Sequence, residues 1–413
     1  MQLSVIIINF NVKYFLEQCL LSVIKAVKNI DGEIIVIDNN SSDDSFSFFQ
    51  NRFSEVEFIW NSSNIGFAKA NNQALKIAKG ENILFLNPDT IVPEDCFAKC
   101  ISFINKNNCA LGIKMLDGSG NFLKESKRAF PSPVTSLFKL SGLAKLFPHS
   151  KTFSKYHLGY LSENENHEVD VLAGAFMMVP KNILDTVGSF DEDFFMYGED
   201  IDLSFRIQKA RFKNFYFAES SIIHFKGEST KKGSLNYVKM FYKAMSIFVK
   251  KHYGSNRSRL FSASIHIAIF TRASLAAIAR LLKLKTAGSK TKPAESGPII
   301  IAGSLSEYAE AKELLIDSGS TEDILGRIEP GNLKNSDAIG SIDKIQNIFT
   351  LHHIQKIIFC QGALSFKDII AAIPDLPKQV SVQLYSKGSH AIIGSDDRNV
   401  AGSYIFKSEE SMK

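Results

Sequence analysis

Cysteine is scarce in this chain of 413 residues, and the few cysteines form no pattern. The five are scattered, at Cys19, Cys96, Cys100, Cys109 and Cys360. Such an odd and scattered set excludes a disulfide framework as the basis of the fold. Cys96 and Cys100 are spaced as on one helix face, but no nearby His or Cys completes a zinc set. We therefore expect all five to be thiols in the core.

The chain also lacks the usual signals for secretion and membrane insertion. Its start, MQLSVIIINF, has neither a basic leader nor a small-residue cleavage site, so it predicts a buried strand and not a signal peptide. In the apolar segment 260–285 the longest uncharged run is Leu260–Thr271, which is shorter than the roughly 20 residues that span a bilayer. We expect a cytoplasmic protein, and nucleic acid is not among its expected partners.

Acidic residues are missing from the segment 229–294, which contains fourteen Lys or Arg and no Asp or Glu. The net charge of the whole chain is only +5, so the remainder is net acidic. Arg272, Arg280 and Lys283 fall within about 80° of one another on a helix with about 100° per residue. This pattern predicts an amphipathic helix on an anionic membrane surface, at the inner face of the cell membrane. A core-packed helix with a basic outer face also fits.

The length of the chain predicts more than one core. We expect a first domain at residues 1–255, a basic helix and linker at 256–296, and a second domain at 297–413. Thr286–Gly297 has the composition of a linker. Beyond it, strand-like segments alternate with helical patterns, which predicts a small Rossmann-like α/β domain. These segments are Pro298–Ala302, Ile324–Ile328, Lys356–Cys360 and Val380–Leu384.

Apolar segments that end in polar residues recur in the first half of the chain. Leu3–Ile8 and Glu33–Ile37 have the β-branched composition of strands buried on both faces, and a helical pattern lies between them. This order predicts a parallel α/β sheet, in which ligands bind at the carboxyl ends of the strands. Asp38 follows the second strand, where it could accept a hydrogen bond from a nucleobase or ribose. An Asx turn is the alternative interpretation.

Two segments further along could contact a phosphate. Asn64-Ile65-Gly66 precedes a helix that we expect Gly80 to end, and a glycine there lets backbone N–H groups approach a phosphate. The strand Asn82–Leu86 leads into Asn87-Pro88-Asp89, in which Pro88 ends the strand ladder. Asp89 then offers the hard oxygen ligand that Mg²⁺ or Mn²⁺ prefers. One carboxylate does not make a metal site, although a diphosphate could supply further oxygens.

The densest group of carboxylates lies at residues 190–206, FDEDFFMYGEDIDLSFR. The aromatic residues between them are too apolar for a solvated acidic tail. Gly198 suits the entry to a helix that begins near Glu199, where carboxylates in the first turn are favoured. Glu199 and Asp200 then lie at the mouth of this helix, where a carboxylate can serve as a general base. The alternative is a capped amphipathic helix with an acidic start.

Two neighbouring segments complete the set of candidate residues. Val169–Val179 predicts a buried strand in which the Gly174-Ala175 pair lets backbone or ligand approach closely. His224 follows the apolar pair Ile222-Ile223 and begins the polar stretch HFKGEST. A structural role and a metal-ligand role are both open for it.

Taken in order, these motifs resemble family 2 glycosyltransferases, specifically the rhamnosyltransferase-like branch that builds bacterial surface polysaccharides. The matching pieces, over about residues 1–250, are NFN at 9–11, VIDNNSSD at 36–43, NIGFAKANN at 64–72, FLNPD at 85–89, GAFMMV at 174–179, the acidic stretch, and HFKGES from His224. The resemblance implies a GT-A fold, a nucleotide-sugar donor, Mg²⁺ or Mn²⁺, and a lipid-linked or growing glycan acceptor. Asn87-Pro88-Asp89 stands where the family has an Asp-x-Asp metal motif.

The resemblance also implies roles for single residues. Asp200 would be the catalytic base, beside Glu199. The donor would contact Asn9, Asp38, Asn40, Asn64, Gly66, Asn71 and Asn87. Asp89 and His224 would hold the metal, and Gly174, Ala175, Asp191 and Tyr197 would lie on the acceptor side.

An inverting glycosyltransferase is the function that these expectations favour, and two others stay open. A catalytically silent scaffold that binds nucleotide sugars would need Asp38 but not Asp200. An NAD-dependent oxidoreductase would need a dinucleotide fingerprint in the second domain, where Gly303 is the one glycine kept from G-x-G-x-x-G. That domain resembles the nucleotide-binding-like domain found ahead of some polyprenyl-phosphate glycosylphosphotransferases, and we expect a docking or regulatory role for it.

Overall fold

A computed structural model describes the chain at residues 1–132, 135, 138, 143–225, 235–254, 297–320, 322–331, 337–394 and 402–406. Over these residues the strands form two sheets with helices packed against them. The basic helix expected within 256–296 lies outside the described residues.

The first sheet contains the strands of the first half of the chain. They are β1 (Leu3–Asn9), β2 (Gly32–Asp38), β3 (Val56–Trp60), β4 (Asn82–Leu86), β5 (Thr90–Ile91), β6 (Ala110–Leu116), β7 (His167–Glu168), β8 (Phe176–Pro180) and β9 (Asn214–His224). Their order is β3-β2-β1-β4-β8-β6-β9-β5, and β7 pairs with β9. The parallel arrangement of β3, β2, β1 and β4 confirms the predicted α/β sheet. Because β2 and β4 lie on opposite sides of β1, the strand order reverses at β1, and sheets of this kind bind ligands in a crevice at the carboxyl ends of the strands there.

Helices cover both faces of this sheet. They are α1 (Lys13–Val27), α2 (Ser45–Phe49), α3 (Phe67–Leu75), α4 (Cys96–Asn107), α5 (Leu143–Leu146), α6 (Lys181–Val187), α7 (Glu199–Lys209) and α8 (Leu235–Tyr253). The α7 boundary confirms the helix predicted after Gly198, whose φ of 87° suits a glycine. In contrast, α3 ends at Leu75 and not at Gly80. Gly80 instead lies against β1, where a Cβ would come 2.4 Å from the backbone N of Ser4.

One strand prediction needs correction. The expected strand Val169–Val179 is a strand only from Phe176, because residues 172–175 leave the sheet and turn toward α7. The apolar segments Phe215–Phe217 and Ile222–His224 both belong to the single strand β9. The register between β6 and β9 shifts after Ile113, which accommodates the polar residues between the two apolar segments.

The second sheet contains the strands of the last part of the chain. They are β10 (Ile299–Ala302), β11 (Ile324–Glu329), β12 (Ala338–Ser341), β13 (Lys356–Gln361), β14 (Ser381–Ser386), β15 (Ala391–Gly394) and β16 (Ser403–Phe406), in the order β12-β11-β10-β13-β14-β15-β16. The first five in this order are parallel, and β15 and β16 are antiparallel. The helices are α9 (Leu305–Asp317), α10 (Ile345–His352) and α11 (Phe366–Ala372). The four strands predicted here are confirmed.

The cysteine prediction is also confirmed. All five are free and buried. Burial raises the pKa of Cys19 and of Cys109 to about 12, so neither is a reactive thiolate at neutral pH. Among the helices of the described ranges, none has the length and apolar character needed to cross a membrane.

Candidate active site

The carboxyl ends of β1 and β2 meet in a buried polar cluster. Asn9 is fully buried, and its Nδ2 donates to Asp38 Oδ2 at 2.7 Å and to Ser45 Oγ at 3.0 Å. The other oxygen of Asp38 accepts a hydrogen bond at 2.8 Å from the N–H of Ser41, three residues on, whereas an Asx turn would use the N–H two residues on. Asn40, between Asp38 and Ser41, is exposed and has a φ of 65°. The cluster therefore fixes Asp38 at the edge of the crevice.

A second loop of the predicted donor side lies next to this cluster. Asn39 Nδ2 donates to Asn64 Oδ1 at 2.9 Å, and the same oxygen accepts the N–H of Gly66 at 3.0 Å. Gly66 has a φ of 88°, and a Cβ there would come 2.7 Å from the ring of Phe195. Only glycine fits both the conformation and the space. The structure thus brings Asn64 and Gly66 beside Asn39, Asp38 and the acidic stretch.

Two successive asparagines of α3 have different roles. Asn71 is buried and donates to the carbonyl of Phe67 at 2.9 Å, within its own helix. Asn72, which the sequence did not single out, donates to the carbonyl of Phe190 at 2.8 Å and accepts the N–H of Phe190 at 3.0 Å. Asn72 therefore ties α3 to the start of the acidic stretch, whereas the described contacts of Asn71 are structural.

The two predicted metal ligands lie side by side. Strands β5 and β9 pair so that Thr90 is opposite His224, which places His224 Nε2 3.3 Å from Asp89 Oδ1 and 3.4 Å from Asn87 Nδ2. Asp89 Oδ1 and His224 Nδ1 are buried, and neither has a hydrogen-bond partner among the described residues. Across that part of the chain no group of three His, Cys, Asp or Glu forms a metal cage. A cation here would need additional oxygens from a ligand.

The predicted base lies at the start of α7, and three donors converge on it. Asp200 Oδ2 accepts hydrogen bonds from Arg128 Nη2 at 2.5 Å and from the N–H of Gly174 at 3.2 Å, and Oδ1 accepts the N–H of Ile201 at 2.8 Å. Arg128 also donates to the carbonyl of Leu172 at 2.7 Å. Sequence reasoning missed Arg128, because its segment is irregular and nothing in its spacing links it to α7. The carboxylate of Asp200 is thereby oriented by the guanidinium group of Arg128 and by two backbone N–H groups.

The neighbouring carboxyl group, Glu199, has a different environment. Its side chain is buried, and Oε2 has no hydrogen-bond partner among the described residues. Burial, and secondly the charge of Asp200, raise the pKa of Glu199 to about 8. Glu199 is therefore mostly protonated at pH 7, so it is the weaker candidate for a base at that pH.

The dipeptide Gly174-Ala175 connects the base to the metal side. The N–H of Gly174 donates to Asp200, as above, and the carbonyl of Ala175 accepts the N–H of Asn87 at 3.0 Å. Asn87 begins the turn that carries Asp89. Two successive residues thus hold the turn after β4 and the start of α7 at a fixed separation.

The other two residues of the predicted acceptor side have structural contacts. Asp191 forms an ion pair with Lys251 of α8 and accepts the N–H of Asp193 at 3.0 Å. Partial burial would raise the pKa of Asp191, but the hydrogen bonds from Lys251 and from the N–H of Asp193, with the nearby positive charges, together outweigh burial and the pKa is lowered. Tyr197 has a φ of 68° and packs against the cluster that contains Phe248. Direct contact of Asp191 and Tyr197 with an acceptor stays a prediction.

Comparison with known proteins finds a family for the part of this geometry that precedes α7. The family model described as Glycosyl transferase family 2 matches residues 4–188, which run from Ser4 in β1 through β8 and include Asp38 and Asp89 but not Asp200 or His224. These residues, just under half of the chain, match a family 2 glycosyltransferase domain. The resemblance given above is confirmed, and the mixed α/β sheet agrees with the GT-A fold expected of this family.

Individual relatives of the family 2 glycosyltransferase domain cover different shares of the chain. The low-salt glycan biosynthesis hexosyltransferase Agl10 of Haloferax volcanii is 24% identical over 212 residues, which are 50% of this chain and 62% of that protein. The N-acetylglucosaminyl-diphospho-decaprenol L-rhamnosyltransferase of Mycobacterium tuberculosis is 25% identical over 272 residues, 62% of this chain and 87% of its own length. The solved structure of the mannosyltransferase PcManGT from Pyrobaculum calidifontis is 14% identical with a TM-score of 0.43, covering 68% of this chain and 80% of its own.

Proposed function

We propose that this protein is an inverting glycosyltransferase of bacterial surface glycan biosynthesis. It moves a sugar from a nucleotide-sugar donor to a lipid-linked or growing polysaccharide acceptor. The observation that carries this proposal is the connection of Asp200 to the Asp89 turn through Gly174 and Ala175. The name of the Mycobacterium tuberculosis relative, which specifies a diphospho-decaprenol-linked acceptor, supports a lipid-linked acceptor.

The donor binds at the crevice beside β1 in this proposal. Asp38 accepts an N–H of the nucleobase, since its carboxylate is held in place by Asn9 and Ser41. Uracil, thymine and guanine all present such an N–H. The loop of Asn64 and Gly66 lines the same side, and the N–H groups at the start of α3 lie behind it.

Asp89 and His224 would hold a Mg²⁺ or Mn²⁺ ion together with oxygens of the donor diphosphate. Asp89 Oδ1 and His224 Nε2 are 3.3 Å apart, and they fit such a cation because an oxygen and a nitrogen ligand at this separation could bind one ion. When bound, the cation would neutralise charge that develops on the diphosphate leaving group.

Asp200 acts as the general base. It takes the proton of the acceptor hydroxyl as that oxygen attacks the anomeric carbon from the face opposite the diphosphate. The new glycosidic bond forms while the bond from the anomeric carbon to the phosphate oxygen breaks, so the configuration inverts. Arg128 and the N–H of Gly174 hold the carboxylate in position during this step.

The variant Asp200→Asn tests this role as the general base. Turnover should fall by roughly 10²- to 10⁴-fold, the usual contribution of a general base, while donor affinity stays near the wild-type value. Asp117→Asn is the matched control, because Asp117 is also buried and accepts N–H groups, from Ser119 and Asn121, in a turn of its own. Unchanged turnover in Asp200→Asn would assign the base elsewhere, first to Glu199. Donor binding without any turnover in the wild type would favour the scaffold.

The protein also works at the inner face of the cell membrane in this proposal. A lipid-linked acceptor presents its reacting hydroxyl close to the lipid headgroups. The acid-free segment 229–294, with its fourteen basic residues, supplies the attraction to an anionic surface.

The second sheet serves docking or regulation and not dinucleotide binding. In a Rossmann-like fold a phosphate binds where the first strand meets the following helix. Here the Glu307 carboxylate accepts the N–H groups of Ser304 and Ala363, each at 2.8 Å. A Cβ on Gly303 would come 3.0 Å from the same carboxylate. The Glu307 carboxylate therefore occupies the position in which the phosphate of a dinucleotide would bind. This argues against the oxidoreductase alternative.

A further inference from the structure

Helix α1 is buried on both sides, because the two sheets pack on opposite faces of it. Toward the second sheet, Gln18 Nε2 donates to the carbonyl of Ala391 at 2.9 Å, and the fully buried Glu17 accepts the N–H of His390 at 2.9 Å. Toward the first sheet, Ser22 Oγ accepts the N–H of Val92 at 3.2 Å, one residue beyond β5. One helix therefore contacts both the second sheet and the strand that follows Asp89.

A single apolar cluster continues across this boundary. It joins residues of the first half of the chain to α11 and the second sheet. The members that flank the metal side are Ile91, Ile223 and Phe225, and those of α11 include Phe366 and Ile369. Ile91 lies two residues after Asp89, whereas Ile223 and Phe225 lie on either side of His224. The second sheet thus packs against the immediate neighbours of both predicted metal ligands.

Glu94 makes a polar connection at the same place. Its Oε1 accepts the N–H of Phe366 at 2.8 Å and its Oε2 accepts the N–H of Lys367 at 3.0 Å. Asp95 adds an ion pair with Lys367 at 2.8 Å. Hydrogen bonds to an ionised acceptor are stronger than hydrogen bonds between neutral groups, so the Glu94 carboxylate holds the segment after β5 against α11.

We propose that the second sheet and its helices hold β5 and β9 in the arrangement that binds the cation and the diphosphate, with Glu94 as the positioning residue. This inference rests on the proposed function. The pairing between β5 and β9 covers only Thr90 and Ile91, so it constrains the Asp89 turn weakly by itself. Two backbone hydrogen bonds also hold this turn, from the N–H of Asn87 to the carbonyl of Ala175 and from the N–H of Phe225 to the carbonyl of Asp89. The contacts of Glu94 and of the shared apolar cluster add a further constraint from the second sheet.

The test compares cation and nucleotide binding in the full chain. Wild type is titrated with Mn²⁺ in the presence of UDP, GDP or dTDP, and free Mn²⁺ is followed by electron paramagnetic resonance, with a chelator to reverse the signal. The nucleotide that binds most tightly is then used for Glu94→Gln. A glutamine keeps the size but loses the charge and one acceptor, so the Mn²⁺ affinity should fall roughly tenfold. In steady-state assays donor KM should rise while kcat at saturating donor stays near the wild-type value.

Glu17→Gln is the matched control, because Glu17 lies in the same interface but contacts Arg52 and His390 and not the segment after β5. Both variants should lower the Tm, but only Glu94→Gln should weaken Mn²⁺ binding, and Glu94→Asp should restore part of the affinity. Wild-type affinity in Glu94→Gln, or an equal loss in Glu17→Gln, would overturn the positioning role. If wild type binds none of the nucleotides with Mn²⁺, the proposed function itself fails.

Discussion

At the scale of single residues, Glu199 and Asp200 show how neighbours in sequence acquire different chemistry. Asp200 accepts hydrogen bonds from the guanidinium group of Arg128 and from two backbone N–H groups. Glu199 is buried, and one of its carboxylate oxygens has no hydrogen-bond partner among the described residues. The first turn of a helix is a favourable place for both. Their burial and partners, which depend on distant segments, separate them. Burial, by raising its pKa, makes Glu199 the weaker candidate for a base at pH 7.

The raised pKa of Glu199 predicts a pH-dependent stability. Its ordinary pKa is 4.5, and in the folded protein it is about 8, so the folded state binds one more proton than the unfolded state between these values. The free energy of unfolding should therefore fall as pH rises from about 5 through about 8, by on the order of a few kcal/mol.

In Glu199→Gln the free energy of unfolding should lack this pH-dependent contribution, because the amide does not titrate. Urea unfolding of both proteins at a series of pH values measures it. The two free-energy curves should lie close together near pH 5, with the variant relatively more stable toward pH 9. Parallel curves over this range would show that Glu199 titrates normally.

Arg128 is the second residue-scale prediction. Arg128→Gln should release the carboxylate of Asp200 and lower kcat by roughly 10- to 100-fold with little change in donor KM, since misplacement of a reacting group has effects of this size. Arg128→Lys should recover only part of the lost kcat, because a lysine cannot bridge Asp200 and the Leu172 carbonyl with the same planar group.

The neighbouring Lys127 provides the control. It is buried, and its amine donates to the carbonyls of Leu161 and Ser162 and not to Asp200. Lys127→Met should therefore lower the Tm while kcat stays within a few-fold of wild type. A loss of kcat of the same size in both variants would attribute the Arg128 effect to general destabilisation.

At the scale of elements, sequence patterns predicted those strands and helices whose signals are local. The β-branched segments of β1, β2 and β4 and the glycine before α7 fall in this class. Two boundaries were wrong because tertiary contacts decided them, as at Gly80, which packs on β1, and at Gly174, which binds Asp200. The short strands β12, β15 and β16 were not predicted, because they lack the run of three isoleucines that marks the equally short β10.

The basic segment gives the element-scale prediction. Arg272, Arg280 and Lys283 changed together to Glu should abolish pelleting with anionic vesicles, because each Lys or Arg near such a surface contributes on the order of 1 kcal/mol. Wild-type binding should decline as salt rises, since the Debye length is about 8 Å at physiological ionic strength. Transfer to a short soluble acceptor should continue in the variant.

A control with the same change in charge uses the exposed Lys76, Lys106 and Lys209, which lie on three separate helices or helix ends. Their combined replacement by Glu should leave most vesicle binding in place. Equal pelleting of wild type and of the Arg272, Arg280 and Lys283 variant would favour the core-packed interpretation. The protein would then reach a lipid-linked acceptor through a partner.

At the scale of the whole molecule, the sequence predicted two α/β sheets but not how they meet. Glu17 and His390 are separated by 373 positions and Glu94 and Phe366 by 272, so no local pattern links them. Among the residues that meet around the candidate site, those at strand ends were candidates from the sequence, whereas Arg128 and Asn72 were not. Both come from segments whose role appears only when the chain is folded.

Sugar transfer with inversion, and with Asp200 as the base, can be tested on the first product of the reaction. Proton NMR of that product, made from a donor of known anomeric configuration, gives its stereochemistry. We expect a product whose anomeric carbon has the configuration opposite to that of the donor, formed by wild type and nearly absent with Asp200→Asn. A product with the donor's configuration would exclude inversion, and a product formed equally well by Asp200→Asn would exclude Asp200 as the base.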